Sequence, residues 1–244
     1  MFSADVISLR RFYASMPGRL VQRVLLQALN RCWPEWGKDR LGVIGYGVPL
    51  LEAEEPLAAC SVQVMPAHEG ALYWPPGGSN LSVMADEWAL PVQTECLNRV
   101  VVLHTLEMTR HVNRTLKEIH RLLVPGGRAL LIVPNRTGLW ALSGNSPFGC
   151  GQPFSTAQLS RRALENGLTP VGGDTVLYVP PLSWRWVMKI APGIEWIGRL
   201  LLPGLGGVLV MEVEKQVYAT IPDPATARPR PVLAPLVSAS SSRI

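Results

Sequence analysis

The 244-residue sequence is poor in aromatic residues (7%) and in charge (17%), and it contains four cysteines. Hydrophobic residues make up 48%, a balance that excludes disorder throughout the chain and fits one domain with a full core. The cysteines form no C-x-x-C motif and have no matching pair of histidines, so no metal site is predicted. They are interpreted as free thiols in a reducing compartment, and the expected location is cytoplasmic.

Three further features are missing. The longest apolar stretch, residues 194–211, is interrupted by Glu195, Arg199 and Pro203, so no transmembrane segment is predicted. The first 13 residues include Asp5 and two arginines, which is unlike a secretory signal. The net charge of +5 is not gathered into a basic run with interleaved aromatic residues, so nucleic-acid binding is not predicted.

Buried strands alternate with amphipathic helices along the chain. Residues 99–103 and 129–133 are continuous apolar runs, typical of parallel strands buried on both faces. A helical stripe over 112–123, ended by Pro125-Gly-Gly127, joins them into a βαβ unit. The other expected elements are helices over 17–32, 50–59 and 155–166, the last opened by a capping box at Ser155-Thr-Ala-Gln158, and strands over 41–44, 61–65, 81–85, 174–179 and 207–218. This pattern predicts an α/β Rossmann-like fold, a doubly wound, mostly parallel sheet that ends in an antiparallel strand pair.

The chain divides by composition into three parts. Residues 1–37 are predicted as an N-terminal helical segment, 38–218 as the α/β domain, and 219–244 as a disordered tail rich in proline and serine. Within the domain, residues 180–206 contain Trp184, Trp186 and Trp196. This Trp-rich segment is either an apolar lid over a lipid-like or aromatic acceptor, a homodimer contact, or a cover for the sheet.

A glycine turn, Gly45-Tyr46-Gly47, follows the first predicted strand. Ligands of such folds bind beyond the carboxyl ends of the strands, where glycine lets the backbone approach them closely. By itself the turn is equally well explained as turn geometry.

Three blocks of sequence carry a more specific signal: Asp86-Glu-Trp-Ala-Leu-Pro91, residues 98–104, and residues 116–135 with the Pro-Gly-Gly turn. Their order and spacing closely resemble class I S-adenosylmethionine-dependent methyltransferases of the type 11 group, over about residues 38–170. The resemblance implies S-adenosylmethionine as cofactor. It leaves the methyl acceptor open, and a small molecule and a lipid-like compound are both compatible with it. It further implies cofactor-binding roles for Gly45, Tyr46, Gly47, Asp86, Glu87 and His104.

The end of the fourth strand, residues 104–107, matches the position that faces the transferred methyl group in that family. His104 is therefore the candidate catalytic base for a hydroxyl or amine acceptor, and Glu107 is the second choice. Tyr13, ahead of the first predicted helix, and Phe148, in a segment rich in glycine and proline, are candidates together with Glu107 for acceptor recognition.

The family's cofactor motifs are degenerate in this chain. Val43 stands where an acid usually precedes the first glycine, Pro49 replaces the third glycine, and the second strand ends in Met65-Pro-Ala67 without the acid that holds the ribose. Glu69 replaces that acid if the loop bends back. The leading hypothesis is a methyltransferase that works by in-line displacement. The alternatives are a catalytically inactive relative that acts as a binding or regulatory partner and, ranked last, a nicotinamide-dependent oxidoreductase. The leading hypothesis depends on an open hollow beside residues 45–47, and a structure in which Tyr46 or Met65 fills that hollow would rule it out.

Overall fold

The computed structural model describes residues 2, 5–35, 39–51, 60–181, 185–202 and 204–216. The helices are α1 (Val6–Ala14), α2 (Met16–Cys32), α3 (Val48–Leu51), α4 (Val112–Leu122), α5 (Thr156–Glu165) and α6 (Arg185–Leu201), with short 3₁₀ turns at Leu139–Leu142 and Pro147–Gly149. The strands are β1 (Arg40–Gly45), β2 (Cys60–Pro66), β3 (Ser82–Ala85), β4 (Leu97–Leu103), β5 (Leu123–Pro134), β6 (Leu168–Val176) and β7 (Val208–Lys215).

All seven strands form one sheet in the order β3-β2-β1-β4-β5-β7-β6. Strands β1 to β5 pair in parallel, and β7 pairs antiparallel with both β5 and β6. The predicted fold class, a mostly parallel Rossmann-like sheet ending in an antiparallel pair, is confirmed. The strand order reverses between β1 and β4, so the carboxyl ends of these two strands mark the point where this kind of sheet binds ligands.

The core lies on both faces of the sheet, and β4 shows why its sequence is continuously apolar. Val101 and Leu103 pack in the hydrophobic cluster that contains α1 and α2. Val100 and Val102 pack in the cluster on the opposite face, which contains α4 and α5. Successive side chains of a strand point to opposite faces, so a strand covered on both sides needs an apolar residue at every position.

The N-terminal residues form two helices that pack into this core. The helix expected over 17–32 corresponds to α2, whereas α1 was not expected. Its start is marked by Asp5, whose carboxylate accepts a hydrogen bond from the Ser8 amide at 2.8 Å and so caps the helix. The division into domains stays a prediction, and the tail over 219–244 lies outside the described residues.

Several elements differ from their predicted bounds. Strand β6 begins at Leu168 rather than 174, because Gly172 and Gly173 continue a strand with a bulge where the sequence shows no alternation. The helix expected over 50–59 is described as α3, with residues 52–59 outside the described part of the chain. In the capping box, Ser155 Oγ accepts from the Gln158 amide, while the Gln158 side chain accepts from Arg136.

The Trp-rich segment contains helix α6. It contacts β6, the last strand at its edge of the sheet, and Glu195 accepts hydrogen bonds from the amides of Leu177 and Val179. Trp196, Leu200 and Leu201 are each more than 60% exposed. These three side chains therefore do not cover the sheet, and the roles of lid and dimer contact stay predictions.

The packing of α4 gives a direct test of the fold. We expect Leu116→Ala to lower the free energy of unfolding by about 2–5 kcal/mol, since Leu116 is fully buried and its loss leaves a cavity. Leu164→Ala is the matched control on α5, because Leu164 is exposed and its loss should change stability by less than about 0.5 kcal/mol. Urea unfolding of the two variants measures the difference, and equal losses would contradict the packing described.

Candidate functional site at the carboxyl ends of β1, β2 and β4

The glycine turn after β1 is required by packing. Gly45 has a φ of +94°, and a Cβ at this position would clash with the carbonyl oxygen of Leu103 in β4. A Cβ at Gly47 would clash with the side chain of Val43. The turn therefore lets the backbones of β1 and β4 approach each other. Tyr46 and Met65 are both buried in the core beside the turn, and the open hollow expected beside residues 45–47 stays a prediction.

His104 follows β4 directly and is completely buried. Its φ of +59° is in the left-handed region, which costs a non-glycine residue about 1–3 kcal/mol and is concentrated at functional sites. Next to it, the Thr105 hydroxyl donates to the Ile44 carbonyl at 3.2 Å, which ties this turn to the end of β1. The backbone thus holds the imidazole at the point where the strand order reverses.

Both nitrogens of His104 have side-chain partners. Nδ1 lies 3.3 Å from Glu107 Oε1, and Nε2 lies 2.8 Å from the Tyr13 hydroxyl. With the proton on Nδ1, the imidazole donates to the carboxylate and Nε2 accepts from the phenol. This arrangement presents Nε2 as a base toward a hydroxyl group, with Glu107 fixing the ring.

Aromatic rings surround this histidine. Phe148 lies 4.9 Å from His104 between ring centroids, and the Tyr13 ring lies 5.8 Å from both His104 and Tyr46. Burial raises the pKa of Tyr13 well above its usual value, and the nearby Tyr46 and Glu107 raise it further. The phenol of Tyr13 is therefore neutral at physiological pH. The structure brings together Tyr13, Glu107 and Phe148, the three residues predicted for acceptor recognition, around His104.

Acidic residues from the loops after β2 and β3 meet near His68. Its imidazole lies 3.7 Å from Glu69 Oε1 and 3.9 Å from Glu87 Oε2. Glu69 and Glu87 are buried, whereas Asp86 is exposed, so of the adjacent acids it is Glu87 that points inward. The loop after β2 thus bends back. This is the condition under which Glu69 was expected to replace the acid that is missing from residues 65–67.

Burial raises the pKa of Glu69 to about 9, and the negative charges of Glu107 and Glu87 add to the shift. Glu69 is therefore protonated at neutral pH in this state. A cationic or donor-rich ligand beside it would favour the ionised form.

Three buried acceptor atoms in this region have no hydrogen-bond partner in the described protein: Gln63 Oε1, Glu69 Oε1 and Glu107 Oε2. The amide nitrogen of Gln63 donates to the Gly45 carbonyl at 3.3 Å, which places this side chain at the glycine turn. An unsatisfied buried polar group costs about 1–3 kcal/mol. Unpaired acceptors at the carboxyl ends of β2 and β4 suit a ligand that brings hydrogen-bond donors. The sequence analysis missed Gln63, because it lies inside the weakly alternating strand predicted over 61–65 and not in a loop.

A cavity of about 340 Å³ adjoins the aromatic group. Tyr13 and Tyr46 both line it, whereas His104 does not, so Tyr13 contacts both the cavity and the imidazole. Its other lining residues come from the first two helices, from α3 and from the loop after β2: Arg10, Ala14, Gln22, Val48, Pro49, Leu72, Tyr73, Trp74 and Pro76. The volume is within the usual range of small-molecule sites, about 300–1,000 Å³.

Comparisons with known proteins agree with this geometry. A family model described as a methyltransferase domain matches residues 75–131. A solved S-adenosylmethionine-dependent methyltransferase from Thermotoga maritima is 17% identical with a TM-score of 0.61, over 86% of this chain and 96% of that one. A solved S-adenosylmethionine-dependent methyltransferase from Archaeoglobus fulgidus is 17% identical with a TM-score of 0.57, over 80% of this chain and 94% of that one. Geranyl diphosphate C-methyltransferase from Streptomyces coelicolor, solved with S-adenosyl-L-homocysteine, is 18% identical with a TM-score of 0.53, over 78% and 76%. No curated protein sequence matches the chain.

The chain therefore has the fold of the class I methyltransferases. The resemblance to the S-adenosylmethionine-dependent members of that class, predicted from three blocks of sequence, is confirmed by the matched domain and by the similar structures.

Among the helices of the described residues, none is long and apolar enough to cross a membrane. The same part of the chain contains no group of three or more histidine, cysteine or acidic side chains arranged to hold a metal ion.

The raised pKa of Glu69 predicts how stability depends on pH. The unfolded chain releases this proton near pH 4.5 and the folded chain near pH 9, so the free energy of unfolding should fall as pH rises between these values. In Glu69→Gln, the free energy of unfolding should decrease with pH less steeply than in the wild type, by up to about 1.4 kcal/mol per pH unit. Urea unfolding from pH 5 to 9 measures it.

Glu165→Gln is the control for this experiment, since Glu165 is exposed on α5. Its pH profile should follow that of the wild type. Parallel profiles for wild type and Glu69→Gln would mean that the Glu69 carboxyl is ionised in the folded protein.

Proposed function

We propose that this protein is an S-adenosylmethionine-dependent methyltransferase that transfers a methyl group to a small acceptor by in-line displacement. The observation that carries the proposal is the set of buried, unpaired acceptor atoms at the carboxyl ends of β2 and β4. The class I methyltransferase fold and the matched domain over residues 75–131 support it.

The residues at this edge of the sheet fit the cofactor chemically. S-adenosylmethionine supplies an electrophilic methyl group on a sulfonium, and its ribose hydroxyls, its amino group and the adenine amine are all hydrogen-bond donors. In our proposal Glu69 binds the ribose hydroxyls in place of the acid missing from residues 65–67. Glu87, which is also buried, accepts a hydrogen bond from the adenine amine.

His104 is the base in this proposal, and Glu107 positions it. Methyl transfer from a sulfonium depends mainly on alignment, so the protein has to hold the acceptor and take up its proton. Nε2 of His104 accepts that proton, and the contact between Nδ1 and Glu107 stabilises the imidazolium that results.

Entry of ligands requires Tyr13 to move. Its ring fills space beside the glycine turn, and it is carried by α1, whose start is tied to the loop after β2 by the hydrogen bond from the Val6 amide to the Glu69 carbonyl at 2.9 Å. Movement of α1 would therefore open the site and release the loop that carries Glu69 together. In this proposal the described conformation is the closed one.

A second candidate is a catalytically inactive relative that acts as a binding or regulatory partner. The observation that favours it is the burial of Tyr46 and Met65 beside the glycine turn, together with the packing roles of Gly45 and Gly47. In that case the unpaired acceptors are a remnant of the fold.

Calorimetric titration with S-adenosylmethionine and S-adenosylhomocysteine separates the two candidates. We expect binding in the micromolar range that strengthens from pH 7 to pH 9, because the ligand favours ionised Glu69. Glu69→Gln should weaken binding about tenfold to a hundredfold, the value of a charge-assisted hydrogen bond, and should remove that pH dependence.

Glu165→Gln is again the control and should bind like the wild type. Gly45 is unsuitable for this test, since any side chain there clashes with Leu103 whether or not a ligand binds. Absence of binding at millimolar ligand would favour the inactive relative.

A further inference from the structure

The acceptor side of His104 is occupied by a side chain of the protein. Nε2, the nitrogen that faces away from Glu107, lies 2.8 Å from the hydroxyl of Tyr13, 91 residues away in sequence. Both residues are buried, so this is a phenol hydroxyl held against a base without competing water. The base thus already binds the kind of group that a hydroxyl acceptor would present.

The side chains around the Tyr13 ring would also suit the aromatic ring of a ligand. Tyr46 lies beside it at an interplanar angle of 31°, and Phe12 contacts it edge-on at a centroid distance of 5.3 Å. Offset and edge-on contacts of this kind are the geometries that aromatic rings prefer. Phe148 packs against the His104 imidazole, the ring to which the Tyr13 hydroxyl is hydrogen-bonded.

Tyr13 both lines the adjoining cavity and contacts the His104 imidazole. It lies near the end of α1, which stops at Ala14, and the extended Ser15 separates α1 from α2. The adjoining cavity of about 340 Å³ is lined by Tyr13 itself, so a ring bound there lies next to the position of the phenol. Withdrawal of Tyr13 would join this cavity to His104.

We propose that the methyl acceptor is a phenol, which takes the place of the Tyr13 ring against Tyr46 and presents its hydroxyl to His104 Nε2. Tyr13 then acts as an internal substitute for the substrate in the closed protein. This inference rests on the proposed methyltransferase function and specifies its acceptor.

The reaction that follows is balanced. The phenol oxygen forms a bond to the methyl carbon as the carbon–sulfur bond of the sulfonium donor breaks. The electron pair of that bond stays on sulfur, and the phenolic proton passes to Nε2 of His104. The products are an aryl methyl ether, a neutral thioether and the imidazolium, which later releases its proton to solvent.

Binding of p-cresol, compared with that of 4-methylanisole, tests this inference without any methyl donor. The two probes differ in the hydroxyl, which the anisole carries as a methyl ether. We expect p-cresol to bind the wild-type protein more tightly. Tyr13→Phe keeps the ring but removes the hydrogen bond to His104 that any ring taking the place of Tyr13 has to break. It should therefore strengthen the binding of both probes roughly twofold to tenfold, with p-cresol remaining the tighter ligand. Calorimetry measures all four affinities.

Tyr178→Phe is the matched control, because the Tyr178 hydroxyl pairs with Thr175 on β6, away from His104. It should leave both affinities unchanged. Equal binding of the two probes, no binding of p-cresol, or unchanged or weaker p-cresol binding in Tyr13→Phe would overturn the inference. Thermal unfolding of each variant separates loss of folding from loss of binding.

The outcome distinguishes this inference from the proposed function. Binding of p-cresol with the expected hydroxyl dependence, but no methyl transfer from S-adenosylmethionine, would support the phenol site and count against the enzyme. Binding of S-adenosylmethionine without binding of p-cresol would support the enzyme and count against the phenol site.

Discussion

The close approach of β1 and β4 at Gly45 and Leu103 is the contact on which the site depends. The two strands pair in parallel up to this point, and the missing Cβ of Gly45 lets the chain turn directly against the β4 carbonyl. Thr105 stabilises the same contact, because its hydroxyl donates a hydrogen bond to the Ile44 carbonyl. Between them, His104 takes up a left-handed conformation that places its ring at the reversal of strand order.

In the proposed function, the described conformation is a closed state that balances two opposite demands. Tyr13 satisfies Nε2 of His104 and fills apolar space, which stabilises the closed site. The same state leaves buried acceptors unpaired on Gln63, Glu69 and Glu107 and keeps Glu69 protonated at neutral pH. Buried acceptors without hydrogen-bond partners favour the binding of a ligand that brings donors. Such a ligand must first displace Tyr13, and this barrier restricts access to the site.

The degenerate motifs also take on a different meaning in three dimensions. In the proposed function, Glu69, three residues beyond the end of β2, takes the role of the acid that is absent there. The loop that carries it folds back under α1, where the Glu69 carbonyl accepts a hydrogen bond from the Val6 amide. The acid expected to point inward after β3 is Glu87 rather than its exposed neighbour Asp86. Adjacent acids in a loop are indistinguishable by composition, and only the path of the backbone decides which one is buried.

By itself, the sequence determined the order of the strands and of the helices α2 to α5, the apolar β4 and β5, and the family resemblance. Burial on both faces of a sheet and helical periodicity leave local patterns along the chain, whereas α1 and α6 were not predicted. The sequence also indicated His104, Glu107, Tyr13 and Phe148 as candidates. Only the tertiary structure decided that these four residues lie together, that α1 crosses to the loop after β2, and that the glycines serve strand packing. Those facts depend on contacts between residues that are far apart in sequence, such as Tyr13 and His104, and no local pattern encodes the distance between them.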